Sequence, residues 1–312
     1  MQGISKRKQY QDHYCRNLTR KITAFIAVLL TASLALCGCR AGEGSGRISE
    51  ESNDPGTVFA SKESGSAGDK VPSSDGESSQ EASSDAVRNG SLFMDSPCSI
   101  RLKDRVLDGQ IRDKSKEGRN WNVIAAGVDK DGLISFSMKG GRIAAAEDGI
   151  FYTTDNRSSF QLSGVKIEGS DEDHILLKCT GNAGDSGKSG SNGSDCVFEA
   201  ACQDMTGNVV FDSISTLKVR LTDKSSLTGA LLDDESQAGE GGEGYADLSI
   251  DKTSAWILTA DSTVRNLRSS GTIKDYDGKT VTIVGRDGKK YAEGDSILSV
   301  TVETYGPYEE KE

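Results

Sequence analysis

Histidine and proline are scarce in this chain, and both scarcities restrict its possible functions and folds. The 312 residues include two histidines, four prolines and 36 glycines. Beyond residue 39 the one histidine is His174, in the acidic stretch "DEDH". A Ser-His-Asp triad needs a serine and an acid positioned around the imidazole, and this stretch predicts a solvated turn instead. Few prolines beside many glycines suit numerous short strands joined by turns.

Large apolar residues are scarce between residues 40 and 91. Residues 40–91 contain 13 serines but only five large apolar side chains. Burying so few groups cannot offset the roughly 1–2 kcal/mol per residue that ordering a backbone costs. We therefore expect residues 39–92 to be a disordered tether and residues 93–312 to form one domain, with 93–121 as a lead-in coil or N-terminal cap.

Acidic residues outnumber basic ones over most of the chain. Residues 1–39 hold six Lys or Arg against one Asp, a net +5, so the remaining residues account for −16 of a total of −11. An acidic body argues against nucleic acid or an anionic lipid surface as a partner.

No uncharged apolar run reaches the roughly 20 residues of a membrane-spanning helix. The run Ile22–Leu36 has fifteen residues, follows a basic block and ends in "LCGC" at residues 36–39. This arrangement is typical of the core of a secretory signal. The alternative is that the run remains in the membrane as a stop-transfer anchor.

The end of this run resembles the bacterial lipobox, which has leucine three places before a cysteine and a small residue just before it. Leu36, Gly38 and Cys39 fit the pattern. Cys37 fits less well, because Leu36 would then occupy the small-residue position. The resemblance implies that residues 1–38 are a lipoprotein signal peptide. Cys39 would then be acylated and anchor the protein at the extracellular face of a bacterial cell membrane.

Four further cysteines, Cys98, Cys179, Cys196 and Cys202, lie beyond the anchor. Cys179 and Cys196 bracket a loop rich in Gly, Ser and Asn. A disulfide between them, if their strands are adjacent, would stabilise the fold by about 3 kcal/mol. Cys196 and Cys202 are about 20 Å apart in an extended chain, too far to pair. The alternative is that all four are small buried hydrophobic residues.

Apolar and polar residues alternate along many segments beyond the tether. In "STLKVRL" (215–221), Lys218 and Arg220 face away from the leucines and valine, and "LISFSM" (133–138) alternates in the same way. Units of one plan begin at Val123, Ile150 and Ile175, 27 and 25 residues apart. Such a period without helices predicts an all-β fold, a parallel β-helix of stacked coils.

The last part of the domain differs from these repeats. "KTVTIVGRDGKKYAEGDSILSVTVETY" contains two alternating runs, and Asp287-Gly288 suits a tight turn. We expect a C-terminal antiparallel hairpin that caps the final coil, because an uncovered end would invite end-to-end stacking.

The segments "GNVVFDSISTLKVRLTDKSSLTGAL" (207–231) and "SAWILTADSTVRNL" (254–267) resemble secreted bacterial lipoproteins with a right-handed β-helix similar to that of pectate lyases. The resemblance extends loosely over residues 122–267. Several such proteins are described as carbohydrate-binding, which implies a surface module or adhesin for glycans or cell-wall polymers. Pectate lyases use several Asp around calcium with a basic residue, and no such set is evident here. A polysaccharide lyase or hydrolase, or a structural envelope protein, remains an alternative.

Tyr152 with Asp155 and Asn156 is the best local candidate for a sugar site, because sugars bind an exposed aromatic ring flanked by polar groups. Phe151 should then point into the core. The stretch from Asp129 begins like a calcium loop, but Gly140 occupies the twelfth position, where a glutamate is needed. The acids at 171–173 suit a solvated loop or weak calcium binding. We predict no metal and no cofactor, with the membrane and a polysaccharide as partners.

The lipid anchor is directly testable. Cys39→Ser should abolish incorporation of a palmitate analogue into the expressed protein and slow removal of the signal peptide, because the acylated thiol is lost. Acyl labelling that survives this substitution would disprove the assignment.

Overall fold

The strands of this chain form a parallel β-helix. The computed structural model describes residues 58–59, 90–115, 118–127, 132–182, 190 and 192–309; Cys39 and the predicted signal peptide lie outside them. The strands, numbered along the chain, are β1 (Val58–Phe59), β2 (Leu92–Met94), β3 (Cys98–Lys103), β4 (Val106–Leu107), β5 (Ile111–Arg112), β6 (Asn120–Ala126), β7 (Leu133–Lys139), β8 (Arg142–Ala144), β9 (Gly149–Thr154), β10 (Arg157–Ser163), β11 (Lys166–Glu168), β12 (Ile175–Cys179), β13 (Asp195–Ala201), β14 (Asp204–Thr206), β15 (Asn208–Phe211), β16 (Thr216–Thr222), β17 (Ser226–Thr228), β18 (Leu231–Asp233), β19 (Tyr245–Ile250), β20 (Ala255–Leu258), β21 (Ser262–Thr263), β22 (Asn266–Ser269), β23 (Thr272–Asp275), β24 (Thr282–Gly285), β25 (Lys290–Ala292), β26 (Ser299–Val302) and β27 (Thr304–Gly306). One 3₁₀ turn, Glu235–Gln237, follows β18.

Successive coils place their strands on the same three sides of the stack. Sheet A has the order β1-β2-β6-β9-β12-β15-β18, and sheet B has the order β27-β22-β19-β16-β13-β10-β7-β3. The third side is made of two short sheets, β11-β8-β4 and β14-β17-β20-β23. Each coil from β2 to β20 therefore contributes one strand to each side. Within each of these sheets, the strands of neighbouring coils pair in parallel.

The core consists of side chains stacked between coils. In sheet B the inward position that holds Phe136 is in register with Ile100, Phe160 and Phe198 on the neighbouring strands. Phe151 enters from sheet A, and its ring centroid lies 5.1–5.9 Å from those of three of these phenylalanines. These aromatic residues are fully or almost fully buried, so each coil completes the burial of the next.

The repeat predicted from sequence is confirmed. Val123 of β6 is in register with Phe151 of β9, and Phe151 with Leu177 of β12, offsets of 28 and 26 residues. The predicted units have nearly the same spacing. The longer offset from Leu177 to Val209 accommodates the Gly- and Ser-rich loop between β12 and β13.

The C-terminal hairpin is confirmed as well. β24 and β25 pair antiparallel, and Gly288 adopts φ +82° in the turn between them. The second alternating run continues differently, because β26 pairs in parallel with both β21 and β24, and β27 adds to β22 of sheet B. The hairpin is thus followed by two strands, β26 and β27, that pair in parallel with earlier strands.

The N-terminal side departs from the expected tether. Val58–Phe59 form β1, which pairs in parallel with Leu92 and Phe93 of the first coil. These two residues of the expected tether 39–92 form a strand, because the open edge of sheet A offers unpaired backbone groups there. The other residues of the tether before residue 90 lie outside the described part of the chain. The lead-in expected at 93–121 supplies β3 and β4 and also β5, which pairs antiparallel with β6.

Phe151→Ala should lower the free energy of unfolding by about 3–5 kcal/mol, because it removes the ring that joins three other rings. Urea unfolding of the full chain measures this loss. Val197→Ala, at a position on the outer face of sheet B that is 37% exposed, is the matched control and should cost under about 1 kcal/mol. Equal losses in both variants would contradict the aromatic stack.

Candidate ligand-binding groove

A groove of about 800 Å³ crosses the outer face of sheet B. It runs over the C-terminal halves of five neighbouring strands, β3, β7, β10, β13 and β16. Its polar lining residues are Arg101, Lys103, Ser137, Lys139, Gln161, Ser163, Glu199, Arg220, Thr222, Asp223, Asp251 and Tyr308. Because parallel strands lie about 4.8 Å apart, outward side chains at one register position form a row across the stack.

The central row of the groove is held in place by its own hydrogen bonds. Arg101, Ser137, Gln161, Glu199 and Arg220 occupy the same register position on the five strands. Gln161 Nε2 donates to Glu199 Oε2 at 3.1 Å, and an Arg220 guanidinium nitrogen donates to Glu199 Oε1 at 3.2 Å. The row therefore presents donors and acceptors along a line perpendicular to the strands, and those of Gln161, Glu199 and Arg220 are fixed by these two bonds.

The two ends of the groove differ in charge. Arg101, Lys103 and Lys139 lie at the β3 end, and all three side chains are exposed. Asp223 and Asp251 lie at the opposite end. Burial opposes ionisation of Asp251, but the hydrogen bonds from the Asp223 amide, Ser254 and Thr253 outweigh it and lower the pKa of this carboxyl. A cationic end and an anionic end are thus joined by a polar middle.

Sequence reasoning missed this groove, although part of the signal was available. The alternation in "STLKVRL" correctly puts Lys218 and Arg220 on the outer face. The rows themselves appear only when the register between distant strands is known, since the groove combines residues of five strands, from Arg101 of β3 to Arg220 of β16.

The sugar site predicted at Tyr152, Asp155 and Asn156 is not a surface site. Phe151 points into the core as expected, but Tyr152 is only 3% exposed. Its ring stacks on Trp121 with centroids 5.2 Å apart, in a small cluster on the other face of sheet A. Tyr152 is buried because Trp121, Ile124 and the partly buried Ile111 pack in one cluster with it. Just after β5, Asp113 Oδ2 accepts a 2.7 Å hydrogen bond from Trp121 Nε1.

Asp155 and Asn156 form a structural corner. Asp155 adopts φ +54°, and its amide donates to the Asn192 carbonyl. Asn156 is 1% exposed; its Nδ2 donates to the carbonyls of Ala125 and Thr154 at 2.7 and 2.8 Å. These bonds satisfy backbone groups where the chain turns from sheet A to sheet B.

Cys179 and Cys196 are both buried free thiols. β12 and β13 belong to different sheets, so the adjacent strands that a Cys179–Cys196 disulfide would require are not present, but the corner between the sheets still brings the two side chains into contact. Burial and the hydrogen bond with Cys196 raise the pKa of the Cys179 thiol well above its ordinary value. The expected disulfide is not formed in this structure, and Cys98 and Cys202 are free as well.

Among the described residues, no group of three His, Cys, Asp or Glu side chains is arranged to hold a metal ion. The predicted turn at Asp129 lies outside them. Asp171 forms a turn in which its Oδ1 contacts His174 Nδ1 at 2.8 Å, and this hydrogen bond lowers the pKa of the Asp171 carboxyl. Within the same described part of the chain, no helix is long and apolar enough to span a membrane.

A pair of carboxyl groups at the end of β18 was not identified from the sequence. Asp233 and Glu235 are hydrogen-bonded to each other, and burial together with this contact raises the pKa of Asp233 to about 6. Burial disfavours the charged form of Glu235, but hydrogen bonds from Asp233 and Ser213 lower its pKa. Neither residue is among those that line the groove.

This pair predicts a pH-dependent stability. The folded pKa of Asp233 is about 6 against about 3.9 in an unfolded chain, so its stabilising contribution is complete below about pH 4 and is lost as the pH rises through 6. The urea midpoint of the wild type should therefore fall relative to that of Asp233→Asn between about pH 4.5 and 7.5. Asp277→Asn, at an exposed turn, controls for the loss of one carboxylate. If the difference in urea midpoint between the wild type and Asp233→Asn stays constant over this pH range, the raised pKa of Asp233 is refuted.

Comparison of this chain with known protein families, curated proteins and solved structures finds no match.

Proposed function

We propose that this protein is a lipid-anchored surface lipoprotein that binds a glycan or cell-wall polymer in the groove over sheet B. The observation that carries the proposal is the row from Arg101 to Arg220, which repeats a polar side chain on each of five strands. A polymer of sugar units repeats its hydroxyl groups along one direction, so an extended row of fixed donors and acceptors suits it.

The anchor and the location rest on the sequence. The basic block, the apolar run Ile22–Leu36 and the lipobox-like Leu36, Gly38 and Cys39 support an acylated protein at the extracellular face of a bacterial membrane. A binding surface on a membrane-attached protein would hold a polymer close to the cell, as an adhesin or envelope protein does.

Polysaccharide hydrolysis is a second candidate, for which the Asp233–Glu235 pair supplies one carboxyl with a pKa near 6 and one with a lowered pKa. The two carboxyls are in direct contact, whereas glycosidases hold theirs about 5 Å or more apart, so the pair would have to separate around a substrate. The pair lies outside the groove lining, however, so this activity would need a second surface for the substrate. Reducing-sugar release by the wild type but not by Asp233→Asn would establish it.

A blocking substitution tests the groove. Ser163→Trp should fill it and weaken glycan binding by about tenfold, which corresponds to about 1.4 kcal/mol. Ser159→Trp is the matched control, since Ser159 lies on the same strand and face but is not part of the groove lining. A glycan array probed with the full chain in detergent identifies the ligand, and titration compares the variants. Equal binding by both variants would move the site elsewhere.

A further inference from the structure

Three cations gather at one end of the groove. Arg101 and Lys103 are alternate outward residues of β3, and Lys139 of β7 is in register with Lys103. Neighbouring strands lie about 4.8 Å apart, so Lys103 and Lys139 place like charges directly opposite each other. Such a pair disfavours the fold, because like charges at opposed positions of a sheet repel.

Several other cations of the described chain have acidic partners. Arg142 pairs with Glu168, Arg220 with Glu199, Arg265 with Asp247, Arg286 with Glu303 and Lys290 with Glu293, at distances of 2.7–3.3 Å. In the same part of the chain, Arg101, Lys103 and Lys139 form no ion pair. Residues 40–312 carry a net charge of −16, so three neighbouring cations that form no ion pair stand out against the prevailing sign, although Asp104 follows Lys103 in the chain.

The rest of the groove fixes where an anion would bind. Glu199 neutralises Arg220 in the middle, and Asp223 with Asp251 repels anions from the far end. The β3 end alone offers free guanidinium and ammonium donors, which bind oxyanions by charge-assisted hydrogen bonds. These donors continue directly into the row that contains Ser137 and Gln161.

We infer that the groove binds an anionic polysaccharide. Arg101, Lys103 and Lys139 hold carboxylate or phosphate groups of the polymer, and the sugar units extend over β10 and β13 toward Gln161 and Glu199. This inference rests on the proposed glycan-binding function and specifies its ligand class. Carboxylate and phosphate share the same chemistry toward these side chains, and the experiment distinguishes the two.

The test uses the full chain in detergent and four immobilised probes: polygalacturonate, poly(glycerol phosphate), neutral dextran and single-stranded DNA. The variant R101Q/K103Q/K139Q removes the cationic end. The control K252Q/K274Q/K289Q changes net charge by the same amount at positions outside the groove lining. Urea midpoints of both triple variants confirm that they remain folded.

The wild type should bind at least one of the two anionic polysaccharides more tightly than dextran. Binding should weaken as NaCl rises from about 0.01 M to about 1 M, because the Debye length falls from about 30 Å to about 3 Å. The groove variant should lose about tenfold or more of its affinity for that polymer, and the control should change by less than about twofold.

Each contrary outcome has a separate meaning. Dextran binding equal to that of the anionic polymers, with no loss in the groove variant, overturns the anionic ligand and leaves glycan binding intact. Equal losses in both triple variants overturn the site, because net charge alone then explains binding. DNA bound more tightly than either polysaccharide overturns the ligand class. No binding to any of the four probes or on the glycan array overturns both proposals.

Discussion

In-register stacking of parallel strands is the constraint on which this molecule depends. No coil can bury its inward side chains alone, so Phe136, Phe160 and Phe198 are dry only because the coils above and below repeat the same register. Polar corners make the stacking possible. Asn122, for example, is fully buried and bonds the carbonyls of Gly109 and Ala144 as well as the Ala146 amide. Without such bonds, the turns between sheets would leave backbone groups unsatisfied.

The same constraint organises the outer surface. The register that aligns inward residues also aligns the outward residues between them. Rows such as that from Arg101 to Arg220 therefore follow from the register of the core alone. Additional residues are accommodated at corners, as in the loop between Asn182 and Asn192 and in residues 234–244 between β18 and β19. A change of length within a strand would shift the inward residues to the outer face. A binding surface can therefore vary while the core stays constant.

Sequence patterns anticipated the elements whose two faces differ most. Strands of sheet B alternate clearly because one face is buried and the other is wet, and the register offsets of 28 and 26 residues lie within one residue of the predicted spacing. The strands of sheet A show less alternation of apolar and polar residues, so the sequence predicts their two faces less well. Phe151 and Tyr152 are both buried, on opposite faces, because Trp121, Ile124 and Ile111 pack with Tyr152 on the outer side. Two-residue strands such as β5 contain too few positions to show a period.

The groove depends on contacts that no local pattern contains. Lys103 and Lys139 are 36 positions apart in the chain, and Arg101 and Arg220 lie four strands apart across the sheet. Alternation predicts which side each residue faces, but it does not say which residues meet. The contact between Cys179 and Cys196 has the same origin, since a corner and not a shared sheet brings them together.

If Cys39 is acylated as proposed, the pairing of Val58–Phe59 with the first coil would limit the distance between this coil and the membrane. The chain from Cys39 to Val58 spans at most about 70 Å, since an extended residue covers no more than about 3.6 Å. An uninterrupted leash up to Leu92 would allow about 190 Å. Because β1 joins the coil that also contains β3, the cationic end of the groove belongs to the part of the stack with the shortest reach. A polymer captured there would be one that passes close to the lipid surface, not one at the periphery of the cell envelope.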